Sequence, residues 1–388
     1  MIPEVENRFR SNFEERGELG ASLSVWKDGR EILTLHQGWA DPQRTLPWTS
    51  TTAAPAWSAT KGPAAVTFLL ALENAGFSPH DPVTKVWPEL KAAKESGLTF
   101  AQLLAHQSGL AALSPENLPT LFSHREVAAA LEREQPWWEP GKGHGYHPRT
   151  IGFLLDEVVR RVTGGTTLGA YWNETIATPL GIDFRIGDLP LSLLDRLATM
   201  VPPRTQRPVE EELAFYRELA KPDSLSLAAF SSPAGMRSLG EINKLEILQG
   251  GFPAFGGVGT ARGLAKFYQI LAQDGIWEGV PVLPSRVVRA VRTPLGTGLD
   301  KTLLLPTSFT AGFQTDPVDD AGKKIRRLFG PSATAFGQPG AGGIHAFADS
   351  ENGLSFAYTM NQMETGLFPN RKSLDLVDAL YGEGGASL

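Results

Sequence analysis

Apolar residues open the chain at near-helical spacing, at Ile2, Val5, Phe9 and Phe13, which predicts a helix with one buried face. The period then changes. Leu23 and Val25 precede Asp28-Gly29, and Ile32, Leu33 and Leu35 follow it, the pattern of two strands joined by a tight two-residue turn. From Ala64 to Leu72 nearly every position is apolar, so a helix from about Ser58 to Asn74, closed by Gly76, is predicted to be buried on almost every side. Helical patterns and Pro/Gly loops then dominate to about residue 245. Strand-type runs return in "ATAFGQPGAGGIHAFADSENGLSFAYTMNQM", where two of them flank the turn "SENG", and "RKSLDLVDALYG" predicts a last helix.

Strands at both ends of the chain with helices between them predict an α/β (α+β) fold. Residues 1–75 and 246–388 would form a domain with a central antiparallel sheet flanked by the N- and C-terminal helices. Residues 76–245 would form an inserted, mostly helical domain, with the active site where the two meet. No internal repeat stands out, and "VPPRTQRP" reads as a loop.

The chain has 388 residues, 41% of them hydrophobic, enough for a substantial core. A net charge of -6 argues against a general affinity for nucleic acid or anionic membranes and favours small neutral partners. Without cysteine there are no disulfides, thiolate metal sites or cysteine nucleophile. The opening "MIPEVENRFRSNFEERGELG" is acidic and lacks the apolar core of a secretory signal, and no stretch approaches the ~20 apolar residues of a membrane span. The expectation is a soluble cytoplasmic protein needing no cofactor.

One feature of the buried helix needs a chemical reason. Lys61 stands at its mouth with Ser58 three residues earlier, and burying an unpartnered ammonium costs several kcal/mol or forces it to release its proton. Residues three apart share a helix face, so a neutral Lys61 amine can take the Ser58 proton and create a nucleophile. Unpaired N–H groups at a helix start also favour negative charge, which suits the Ser58 amide to holding an oxyanion.

A second stretch, "WEPGKGHGYHPRTIGFLLDEVVRRVTGG", places Tyr146 on a polar loop entering a helix with Leu154, Leu155, Val158, Val159 and Val162 buried. Here the chain resembles the serine β-lactamase-like superfamily, in particular the family VIII carboxylesterases related to class C β-lactamases. The resemblance runs through "SATK" at 58–61, "LLAHQSGL" at 103–110, "YHPRTIG" at 146–152, "FGGVGTARGLAKF" at 255–267 and "GQPGAGGIHAFAD" at 337–349. It implies a β-lactamase/transpeptidase-like fold, Ser58 as nucleophile, Lys61 as its base and Tyr146 as the partner sharing protons with both. It also implies that the Ala341 N–H joins that of Ser58 in an oxyanion hole, with Gln338 and Gly340 lining the substrate site.

The chain departs from the β-lactamase pattern at Gln338, where a lysine is expected, and at His147-Pro148, where Ser-Asn would follow the tyrosine. Glutamine offers a substrate carboxylate no full charge, which favours neutral esters over β-lactams unless a nearby arginine substitutes. The expected activity is therefore a carboxylesterase-type serine hydrolase acting on small to medium esters. The alternatives are acyl transfer from the same acyl-enzyme, a β-lactamase or D-alanyl peptidase, and a catalytically inactive binding protein of the same fold.

Other signals point to structure. His144 and His147 lack the carboxylates a metal site would add, and His147 reads as a loop-ordering residue. His106 ends an apolar helix with no G-x-S-x-G elbow around Ser58. The glycines of "GGVGTARG" and "GQPGAGG" lack a dinucleotide fingerprint, and read as a turn into a helix and a strand edge that a substrate approaches closely. Trp138, with Trp137, either lines an acyl pocket or packs the loop.

Overall fold

In the computed structural model, which describes residues 2–116, 118–205 and 207–382, the N-terminal periodicity becomes helix α1, Ile2–Glu14, with Val5 and Phe9 buried. The hairpin follows as β1, Gly20–Lys27, and β2, Arg30–Gly38. Asp28 and Gly29 both take left-handed backbone, φ 50° and 78°, as a two-residue turn matching the strand twist requires. Helix α2 spans Lys61–Asn74. The sequence placed its start near Ser58. A 3-10 turn, Trp57–Thr60, runs directly into it, with Thr60 and Lys61 both in right-handed helical backbone, and Trp57, left-handed at φ 50°, marks where the helical path begins.

Helices α3, Thr150–Thr163, and α4, Ala261–Ala272, carry the other long apolar stripes, and α5, Arg371–Tyr381, is the last helix read from the sequence. Six later strands join the sheet: β3 Gly296–Leu299, β4 Pro306–Phe309, β5 Gln314–Thr315, β6 Phe336–Gly337, β7 His345–Asp349 and β8 Leu354–Met360. The order is β2-β1-β8-β7-β6-β5-β4-β3, every neighbouring pair antiparallel. The two ends of the chain thus meet mid-sheet, with Ala21 opposite Met360 and Val25 opposite Phe356.

Alternation along β8 assigns the two faces. Ser355 donates to the Ala265 carbonyl of α4 at 2.8 Å, whereas Tyr358 donates to Glu18 at 2.8 Å and meets the Phe9 ring of α1 edge-on at 6.4 Å. Helices α1 and α5, which pack together, therefore cover one face, and α4 covers the other. A single apolar cluster links Phe9, Phe356 and Val377 with Phe68 of α2 and Val158 of α3, so the sheet and the helical middle share a core.

A smaller sheet positions the chemistry. Gly257–Gly259 lies between Ala54–Pro55 and Phe184–Ile186, and leads through Thr260, whose hydroxyl caps Gly263 N–H at 3.0 Å, into α4. Here "GGVGTARG" is a strand and a helix cap. A Cβ on Gly257 would lie 2.4 Å from Phe184 and 2.7 Å from Thr60 Oγ1, so close protein packing demands this glycine.

His345 of β7 is buried among Phe329, Phe347 and Phe356, with no well-formed hydrogen bond at either ring nitrogen and only a backbone contact from Leu328 to offset its burial. Burial pushes its pKa down to about 3. The unfolded chain protonates this ring near pH 6.5 and the folded chain does not, so its contribution to stability falls as pH drops through that window. His345→Leu should remove that dependence. Between pH 7.5 and 5.5 the variant should lose about 1.4 kcal/mol less stability than wild type in urea titrations, and equal losses would refute the assignment.

Candidate active site

Ser58 sits in the Trp57–Thr60 turn, which is tied to the small sheet at both ends. Ala56 N–H donates to Gly257 O at 2.8 Å; Thr60 Oγ1 donates to Trp57 O at 2.6 Å and accepts from Gly257 N–H at 2.9 Å. Ser58 itself is partly exposed amid buried neighbours.

Lys61 is 3% exposed. Its Nζ lies 3.3 Å from Ser58 Oγ, 3.0 Å from the Pro148 carbonyl and 2.8 Å from the Ala254 carbonyl. Burial holds the amine well below the ordinary lysine range. A neutral amine has two N–H groups and one lone pair; with the N–H groups on the two carbonyls, the lone pair is left for the Ser58 hydroxyl.

Tyr146 brings its ring to 4.7 Å from Lys61 Nζ, measured to the centroid, and stacks on Phe309 at 6.3 Å. Burial raises its phenol well above the usual range, an effect that the nearby Ser58 hydroxyl partly offsets. The tyrosine loop is held by groups far away in sequence. Its backbone N–H donates to both Asp300 carboxylate oxygens at 3.0 Å, and these also accept from Thr302 N–H and Leu303 N–H at 2.8 Å each and from Thr307 Oγ1 at 3.2 Å. Burial raises Asp300 to about 6.

The histidines brace the same loop. His147 Nδ1–H donates to Gly145 O at 2.6 Å, which leaves Nε2 to accept from Ser108 Oγ at 2.7 Å. His106, left-handed at φ 58°, accepts His147 N–H at Nδ1, 3.2 Å, and His144 Nε2 meets Thr307 Oγ1 at 2.7 Å. Burial lowers His147 to about 3 and His144 to about 4. Trp138 packs edge-on against His147 at 5.7 Å, with Ala111, Ala112 and Ala229 around it, while Trp137 is 41% exposed.

The segment after β6 reaches the serine turn. A Cβ on Gly340 would lie 2.3 Å from Ala56 O, so only glycine allows this approach, and the crowding comes from protein backbone. Among the described residues, neither the Ser58 nor the Ala341 backbone N–H has a protein acceptor. Gln338 is buried. Arg149, the cation nearest in sequence to the tyrosine, is turned away: it donates to Pro233 O and Met236 O at 2.8 Å each.

This fold has counterparts among known proteins. A beta-lactamase family model matches residues 5–379. The chain belongs to the beta-lactamase family. Among solved structures, it is similar to a family VIII carboxylesterase, 31% identical with a TM-score of 0.82 over 98% of this chain and 96% of that one. It is also similar to a penicillin-binding protein homolog from Caulobacter crescentus, 32% identical with a TM-score of 0.83 over the same shares. Esterase/beta-lactamase LipL of Mycobacterium tuberculosis is 29% identical over 362 residues, 92% of this chain and 81% of that protein. The carboxylesterase-type hydrolase expected from the sequence agrees with these relatives. No described helix of this beta-lactamase-family chain is long and apolar enough to cross a membrane.

Sequence reading missed Asp300 and the two carbonyls on Lys61. Asp300 stands in "GLDKT" with no neighbouring motif, and a carbonyl carries no side-chain signal at all. Asp300→Asn turns one acceptor into a donor among groups that all donate. The variant should lose about 1–3 kcal/mol of stability in urea unfolding. A stability equal to wild type would contradict this role.

Proposed function

We propose that this beta-lactamase-family enzyme hydrolyses small to medium carboxylic esters through an acyl-enzyme on Ser58, at a site between the sheet region and the helical middle. The lone pair that Lys61 presents to Ser58 Oγ, with both its N–H groups occupied by carbonyls, carries the reading. As Oγ attacks the ester carbonyl, its proton passes to Lys61 Nζ, and the carbonyl oxygen becomes an oxyanion held by the free N–H groups of Ser58 and Ala341. Collapse of this intermediate breaks the C–O bond to the alcohol, which leaves with a proton relayed from Lys61 through Tyr146. Tyr146 suits that relay because burial keeps its phenol protonated. Water then repeats the sequence and releases the acid; an alcohol acceptor in its place would give acyl transfer instead.

With Gln338 neutral and Arg149 committed to carbonyls, neither offers a charge to a substrate carboxylate. The expected result is turnover of p-nitrophenyl esters with a chain-length optimum and labelling by a serine-directed fluorophosphonate. Nitrocefin should be hydrolysed far more slowly. Nitrocefin turnover matching p-nitrophenyl acetate would overturn the preference for neutral esters.

A further inference from the structure

The first residue after β6, Gln338, carries an unpaired acceptor and stands two residues before the approach of Gly340 to the serine turn. A Cβ on Gly337 would strike Phe347 and Phe329, so alternation turns Phe336 and Gln338 to the opposite face. Phe336 there meets Phe313 at 5.4 Å, which meets Tyr268 at 6.0 Å. Phe313 and Tyr268 in turn crowd Gly62, the residue after Lys61. Two residues beyond Gln338, Gly340 touches the Ala56 carbonyl. The Gln338 side chain is thereby placed on the sheet face turned toward α4 and the start of α2, the helix that Lys61 opens.

Gln338 is 1% exposed. Its backbone N–H donates to Tyr268 Oη at 3.0 Å and Ala346 O at 3.2 Å, and its Nε2 donates to Pro339 O at 3.4 Å, but Oε1 has no partner. Flipping the amide would set Oε1 against the Pro339 carbonyl, so the surroundings determine that the unused atom is the acceptor. A buried acceptor without a donor is costly, and a ligand N–H or O–H would relieve that cost, whereas a carboxylate would set a second acceptor against it with no proton to give.

We propose that Gln338 Oε1 accepts a hydrogen bond from an N–H or O–H on the acyl part of the substrate, making esters of hydroxy acids and N-acylamino acids the preferred class. This rests on the reading of Ser58 as nucleophile, and it makes Gln338 a specificity-determining residue that reads a donor.

Methyl esters that differ by one group test it. The pairs are 2-hydroxypropanoate with 2-methylpropanoate, 3-hydroxybutanoate in both enantiomers with 3-methylbutanoate, and N-acetylglycinate with 4-oxopentanoate. Wild type should favour the donor-bearing member of at least one pair by roughly 3- to 10-fold in kcat/KM, the value of a neutral hydrogen bond. Gln338→Met, which keeps the length and removes the acceptor, should bring that ratio close to the solution reactivity ratio of the pair. Gln338→Glu, which keeps an acceptor, should preserve a preference, and thermal melts confirm that each variant is folded. Ratios that are the same in wild type and Gln338→Met, with ester turnover intact, overturn the proposal and leave the hydrolase reading standing. If wild type hydrolyses none of the esters and Ser58 takes no fluorophosphonate, the hydrolase reading fails and the proposal falls with it.

Discussion

Ser58→Ala is expected to lower kcat/KM for p-nitrophenyl esters by at least about 10³-fold, since no attacking oxygen remains and the other groups of the site act only through it. The fold should survive. Ser58 lies partly exposed in a turn held by Ala56, Thr60 and Gly257, so deleting one hydroxyl should change stability by about 1 kcal/mol or less. Mass spectrometry of the fluorophosphonate-treated wild type should find the adduct on the peptide containing Ser58, and the variant should take no label. Residual turnover within tenfold of wild type, or an adduct on another serine, would reject Ser58 as the nucleophile.

Lys61→Arg is expected to cost about 10²–10⁴-fold in kcat, the usual contribution of a positioned base, because a guanidinium does not deprotonate in the working range. Wild-type activity supplies the complementary test. The folded-state pKa of Lys61 is lowered by burial, so the amine becomes competent as pH rises through a value well below the ~10.4 of a free lysine. Tyr146 is shifted the opposite way, so its deprotonation should add no falling limb near neutral pH. The profile of kcat/KM should therefore rise to a plateau. Lys61→Met separates chemistry from packing: it also abolishes the base, but strands the Pro148 and Ala254 carbonyls without a donor, which should destabilise the protein by about 1–3 kcal/mol. An arginine variant with near-wild-type turnover would rule out the base role.

Elements whose cause is local were legible in the chain. Asp28-Gly29 supplies the two left-handed residues its turn needs, the apolar run of α2 can only be a buried helix, and "SENG" separates β7 from β8. The Ser58–Lys61 pair belongs to this group because a spacing of three residues brings the side chains together through backbone geometry alone. Strands β3, β4 and β5 were not legible. They are two to four residues long, with glycine or proline in β3 and β4, so no alternation develops, and they exist because neighbouring strands supply their hydrogen bonds.

For the site, the sequence by itself determined which residue types were available: a serine and a lysine one turn apart, a tyrosine entering a helix, and a glycine-rich segment near the end. Tertiary structure decided what state they are in. The carbonyls on Lys61 come from 87 and 193 residues away, and the carboxylate under Tyr146 from 154 residues away. Whether a lysine keeps its proton depends on water excluded by the whole fold and on acceptors at distances of about 3 Å. Neither is a property of the residues beside it in the chain, so a spacing can nominate Lys61 but only the packed molecule can lower its pKa as a base role would require.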